Sequence, residues 1–231
     1  LDLTSEVLRA FGSEVVVSGD RRLWQVPAGG LRPSTVTVEG DWSTAAFLLA
    51  AAAVTEGRVT VGPLDPHSRQ GDRAVLAVLA AAGLRCSWQG EWVSASGPVA
   101  DPIEADLDST PDLFPALAVV ATCAPAGSRL TGLGNLAHKE SDRLAVMVAN
   151  LRQLGAVLEV GESALTVASP LRRRTGAARA VTAAGDHRVA MAMAVAALAA
   201  GPLRIDDGGC VGKSFPGFWT AWDRLVASAR G

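Results

Sequence analysis

A helix end closed by glycine recurs three times at nearly constant spacing, and this restricts the chain to a repeat architecture. Leu8-Arg-Ala-Phe-Gly12, Leu79-Ala-Ala-Ala-Gly83 and Leu151-Arg-Gln-Leu-Gly155 place their glycines 71 and 72 residues apart. Glycine suits the left-handed backbone that commonly ends a helix. After each one the chain alternates between apolar and polar residues, turns, and alternates again. Segments 14–17 with 23–26, 84–88 with 92–95, and 156–160 with 164–168 read as hairpins of period 2. Ser18-Gly-Asp20, Gln89-Gly90 and Gly161-Glu162 supply the turns.

The other half of the unit repeats as well. Asp41, Asp112 and Asp186 each precede or open an apolar helix, expected over 43–54, 112–122 and 187–199. A carboxylate at such a place can accept free backbone N–H groups. The helices stop near Gly57, Gly127 and Gly201, and short strands follow at 58–61, 128–131 and 203–205. Asp72-Arg73 and Asp142-Arg143 each fall 15 residues past the glycine, while Phe215-Pro216 stands near that place in the third copy. Each unit therefore reads β-loop-α-β-β-α over about 70 residues. The helices are apolar nearly all round, so they belong inside a ring of sheets. Residues 1–38 finish a unit whose first half is absent, and Val38-Glu-Gly-Asp41 opens a new domain. Two full repeats and a terminal helix at 216–229 follow. Leu1-Asp-Leu-Thr-Ser-Glu6 lacks an initiator methionine, which points to further sequence upstream.

Composition narrows the partners. Lys plus Arg number 21 against 23 for Asp plus Glu, and a net charge of −2 gives no support to a nucleic-acid partner. The one basic run, Arg172-Arg173-Arg174, reads as a solvated loop, and the tryptophans form no aromatic–basic ladder for single strands. Core or rim packing accounts for the tryptophans. The apolar stretches 44–54 and 189–200 are too short to span a bilayer, and no secretory leader opens the chain. Three scattered cysteines describe neither a disulfide framework nor a zinc site, so the context reads as reducing and cytoplasmic. No cofactor and no metal are expected, because the histidines lack ligand spacing.

Chemistry concentrates in three places. Lys139, Glu140 and Arg143 fall within one expected helical turn at the mouth of an apolar helix. Lys139 and Arg143 are four apart and share a side of that turn, so an anion between them would relieve their repulsion. Glu140 is a candidate proton carrier, or alternatively a partner of the helix dipole. Asp186-His187-Arg188 opens another helix, where N–H groups and Arg188 can receive a phosphate or carboxylate. His187 reads equally as a hydrogen-bonded structural residue. Lys213 beside glycine is a candidate anion ligand, but the phosphate-loop pattern fails because residue 207 is Asp. Asp112 serves either as a cap or as a general base for a hydroxyl, and helix capping also accounts for Asp72 and Asp142.

Taken in order, His138-Lys-Glu-Ser-Asp-Arg143, Asp186-His-Arg-Val-Ala-Met191 and Lys213-Ser-Phe-Pro216 resemble the C-terminal half of the 5-enolpyruvylshikimate-3-phosphate synthase family. Gly40-Asp-Trp-Ser-Thr-Ala-Ala-Phe-Leu-Leu-Ala-Ala-Ala53 adds to the resemblance, which covers essentially the whole chain. It implies an α/β (α+β) enolpyruvyl transferase fold of βαβαββ units in pseudo-threefold arrangement, with internal helices surrounded by sheets. Residues 1–40 would be the remainder of an N-terminal domain, and 41–231 most of the C-terminal domain, whose third unit the chain's own N-terminus completes. The implied reaction moves the enolpyruvyl group of phosphoenolpyruvate to the 5-hydroxyl of shikimate 3-phosphate and releases phosphate. By resemblance, Asp112 holds and deprotonates that hydroxyl, with Asn135 and Lys139 as further ligands of shikimate 3-phosphate. Glu140 handles the methylene carbon. Arg143, Arg188 and Lys213 bind phosphoenolpyruvate, Lys213 assists proton transfer, and His187 supports the site. The family is a glyphosate target, and a monomer is expected at full length. The implied partner is the missing N-terminal half, without which the 231 residues should be inactive. A transferase acting on UDP-N-acetylglucosamine and a non-catalytic anion-binding scaffold are the competing readings.

Overall fold

The computed structural model describes residues 2–171 and 173–228. Its centre consists of three helices, α2 (Trp42–Ala53), α4 (Phe114–Cys123) and α6 (His187–Ala200), which pack against one another. Their sequences present no polar face, so most of the surface of each is withdrawn from water. Ala46, Phe47, Leu117, Val119 and Ala192 are all fully buried. Burying a side chain such as Leu117 contributes about 1.5–3 kcal/mol, and the many alanines let the axes approach closely. Asp41 and Asp186 cap α2 and α6 by accepting from Thr44 N at 2.8 Å and Arg188 N at 2.9 Å. The start of α4 is different. Its lead-in is a 3-10 turn, Pro111–Leu113, with no side-chain cap, so the capping role weighed for Asp112 is not what this residue does.

Around the helices lie small sheets of unequal completeness. The middle unit runs β6 (Glu104–Asp106), α4, β7 (Arg129–Thr131), α5 (Arg143–Gln153), β8 (Val157–Val160) and β9 (Ala164–Ser169). Its sheet has the order β6-β7-β9-β8, with β6 parallel to β7 and the other pairs antiparallel. This is a full βαβαββ unit. The preceding unit contributes α2, β3 (Arg58–Val61), α3 (Val75–Ala81), β4 (Arg85–Gln89) and β5 (Trp92–Ser96), ordered β3-β5-β4 without a counterpart of β6. The following unit has β10 (Arg179–Val181), α6, β11 (Leu203–Ile205) and α7 (Phe218–Ser228), with β10 and β11 paired in parallel and no hairpin beside them. The expected hairpins all form. Strands β6 and β10 are additional to the unit read from the residues and supply the first strand of the βαβαββ unit that the resemblance implies.

Before α2, the chain forms α1 (Asp2–Ala10) and a hairpin of β1 (Val16–Val17) with β2 (Trp24–Gln25), then runs without helix or strand to Gly40. Trp42 is fully buried, with Trp88 edge-on to it at 5.9 Å between ring centroids. Arg172, part of the basic run, and residue 229 of the expected terminal helix lie outside the described residues; Arg173 and Arg174 are exposed. No helix among the described residues is long and apolar enough to cross a membrane.

Candidate active site

The starts of α4, α5 and α6 meet at Arg143. This guanidinium is fully buried, and carboxylates from three segments surround it. Its Nε donates to Asp186 Oδ2 at 2.9 Å, its Nη1 to Asp112 Oδ1 at 2.8 Å, and its Nη2 to Glu140 Oε2 at 2.8 Å and Asp186 Oδ1 at 3.4 Å. Asp186 is also fully buried and accepts from Ser141 Oγ at 3.2 Å as well. A buried cation survives only when its donors are matched in this way. Burial works against the Arg143 charge, but the Asp186 and Asp112 carboxylates outweigh it and hold the pKa above the usual value.

Above this buried base the site opens. Arg188 approaches Asp112 Oδ2 at 3.3 Å, and Lys139 approaches Asp112 Oδ1 at 3.4 Å. Burial disfavours the ionised form of Asp112, yet Arg188, Arg143 and Lys139 together lower its pKa. Lys213 ends the 3-10 segment Gly208–Lys213 and donates from Nζ to Glu140 Oε1 at 2.6 Å. That bond is the largest influence on Glu140, whose pKa falls to about 2. His187 is buried, its Nδ1 has no hydrogen-bond partner among the described residues, and desolvation lowers its pKa, favouring the neutral imidazole. Asn135 is exposed on the 3-10 turn Gly134–His138 and makes no side-chain hydrogen bond among the described residues.

The expected helical turn carrying Lys139, Glu140 and Arg143 does not form. Lys139 is extended (φ −87°, ψ −164°), Asp142 caps α5 by accepting from Ala145 N at 3.0 Å, and Arg143 is the first residue of the helix. Lys139 and Arg143 are brought together by a shared carboxylate, Asp112, rather than by one helix face. Asp72 is likewise not a cap: it accepts from Ser43 Oγ, and burial raises its pKa. Two contributors escaped the sequence reading. Asp186, read only as a cap, is the principal partner of Arg143, and Ser141 supports it. The adjacency of Asp186 to His187-Arg188 was the available signal.

A full βαβαββ unit flanked by partial ones around buried helices, with paired cations and carboxylates at the helix starts, places the chain in the enolpyruvyl transferase class. Solved structures agree: an EPSP synthase from Acinetobacter baumannii matches with a TM-score of 0.82 at 28% identity, covering 97% of this chain and 54% of that one. The enolpyruvyl transferase NikO from Streptomyces tendae shares the fold, with a TM-score of 0.72 at 21% identity over 97% of this chain and 52% of that one. Within the class, the chain belongs to the EPSP synthase (3-phosphoshikimate 1-carboxyvinyltransferase) family, whose model matches residues 1–222. It is 42% identical to the 3-phosphoshikimate 1-carboxyvinyltransferase of Methanoculleus marisnigri over 224 residues, 96% of this chain and 52% of the relative. The corresponding protein of Aeropyrum pernix is 40% identical over 231 residues, covering 98% and 52%. The chain spans about half the length of the curated relatives it matches.

Proposed function

We propose that this chain supplies the C-terminal half of a site that transfers the 1-carboxyvinyl group of phosphoenolpyruvate to the 5-hydroxyl of shikimate 3-phosphate, releasing phosphate. Residues 1–40 close an N-terminal domain and 41–231 form most of a second. The observation that carries the reading is the contact of Lys213 with Glu140 at 2.6 Å, beside a buried Arg143 that also holds Asp112. It joins a proton carrier, a hydroxyl-binding carboxylate and a set of cations within one cluster, which is what an anionic enol ester and an alcohol require.

In this reading Asp112 takes the 5-hydroxyl and its proton, while Asn135 and Lys139 bind the rest of shikimate 3-phosphate. Glu140 delivers a proton to the methylene carbon of phosphoenolpyruvate and later removes one, after which phosphate departs. With a pKa of about 2, Glu140 is a carboxylate while Lys213 holds it. It becomes an acid only when Lys213 turns to the phosphoenolpyruvate anion, so binding and proton loading are one event. Arg188 and Lys213 receive that anion first. Arg143 joins them by exchanging one of its carboxylate contacts, because its donors are already engaged. His187 shapes the wall of the site.

Lys139, Arg143, Arg188 and Lys213 are already paired with Asp112, Glu140 and Asp186, so further charge for holding two polyanions must come from the complementary half. Chemistry in the cytoplasm is consistent with Cys86, Cys123 and Cys210, which are all free thiols. Calorimetric titration with shikimate 3-phosphate, with and without phosphoenolpyruvate, tests the reading on this chain alone and on the complete two-domain protein. Binding and phosphate release that require both halves are expected. A complete protein that binds neither ligand would refute the proposal.

A further inference from the structure

The turn that delivers Arg188 to the site is strained and externally held. Ala184 and Gly185 precede the α6 cap with φ of +51° and +70°. Glycine adopts that backbone freely, but in alanine the Cβ crowds the following carbonyl oxygen. Such a conformation persists only where the surroundings fix it.

Two side chains from different elements do so. Asn150, on α5 and 2% exposed, donates from Nδ2 to Thr182 O at 2.8 Å and accepts from Thr182 N at 3.1 Å. Both backbone groups of one residue are thus held by one amide. Asp206, just past β11, accepts from Ala183 N and Asp207 N through Oδ1, each at 2.8 Å. Internal bonds complete the turn: Ala184 N to Thr182 Oγ1 at 3.0 Å and Asp186 N to Ala183 O at 3.0 Å. Asn150 lies about two helical turns from Arg143 on the same helix, and Arg143 grips Asp186. Helix α5 therefore fixes the turn at both ends, and Asp206 fixes its middle.

We infer that Asn150 and Asp206 are positioning residues for phosphoenolpyruvate: they hold the turn 182–185 so that α6 begins where Arg188 reaches the bound anion. The inference rests on the proposed role of Arg188. Asn135 and Lys139, assigned to shikimate 3-phosphate, lie on another segment, and Asp112, which Arg188 approaches at 3.3 Å, keeps Arg143 and Lys139 as partners when Arg188 shifts.

The test uses steady-state phosphate release by the complete two-domain protein, with each substrate varied in turn, alongside thermal melting. Asp206→Ala frees Ala183 N, and Asn150→Asp replaces a donor to Thr182 O by a repelling oxygen. In each variant the KM for phosphoenolpyruvate should rise about tenfold while that for shikimate 3-phosphate stays within about twofold. An unchanged phosphoenolpyruvate KM overturns the inference, as does a rise of both KM values together with a lowered melting temperature. If Asn150→Asp fails to fold, Asp206→Ala, at an exposed residue, decides alone. A wild-type protein that releases no phosphate overturns the proposed function, and this inference with it.

Discussion

Replacing Lys213 with Met should return the Glu140 carboxyl toward ordinary behaviour. In the intact site the Lys213 contact is the largest of several influences that bring the Glu140 pKa from 4.5 to about 2. Arg143 remains beside Glu140 Oε2 at 2.8 Å, so the variant should titrate below 4.5 but well above 2. Each unit of that difference corresponds to about 1.4 kcal/mol. The pair is open to water, with 59% of the Lys213 side chain exposed, so screening reduces its share of folding stability to below about 1 kcal/mol. Because the folded pKa is depressed, that stability is present above 4.5 and is lost as pH falls from there toward 2. Carbon-13 NMR of glutamate-labelled protein reads the midpoint directly, and denaturant melts across the same pH range read the stability. A Glu140 midpoint that stays near 2 in Lys213→Met would mean that Lys213 does not control Glu140, and the proposed coupling of ligand binding to proton loading would fall with it.

Other substitutions follow from the same geometry. Asp186→Ala leaves the buried Arg143 with only its two partly exposed partners, so a loss of about 3 kcal/mol is expected in denaturant unfolding. Gly132 has φ +71°, and an added Cβ would lie 2.3 Å from Asp108 N; Gly132→Ala should lower stability by at least about 2 kcal/mol and displace the loop before Asp112. Ala184→Gly relieves the left-handed strain at the cost of a looser unfolded chain, so stability should stay level or rise by up to about 1 kcal/mol in thermal melting.

The repeat, its hairpins and its buried helices were legible because glycine ends and alternating strands are local signals. Strands β6 and β10 were not, since each has only three residues and owes its form to the parallel neighbour it pairs with. The membership of the site was partly legible: Asp112, Glu140, Arg143, Arg188 and Lys213 gather in one cluster. Their pairing was not. The Lys213–Glu140 bond joins residues 73 apart, and Arg143 reaches Asp186 across 43. Local reasoning assigned Arg143 and Lys139 to one helix face, whereas tertiary contacts put Arg143 at a helix start and Lys139 in the loop before it. Asp72 and Asp112 resembled caps for the same reason: a carboxylate near a helix start is ambiguous until its partner is known.

The unequal sheets also bear on the order in which the molecule assembles. The middle unit draws all its strands, β6 through β9, from one continuous stretch of chain, so its four-stranded sheet can close without waiting for any other unit. Helix α5, which carries Arg143 and Asn150, belongs to that unit. If that unit closes first, the anchor for both ends of the 182–185 turn exists before α6 arrives, and α6 is cast against a surface already made. Pulse-labelled hydrogen exchange during refolding should protect amides of β7 and β9 before those of β10 and β11, so that the segment carrying Arg188 sets after the one carrying Arg143.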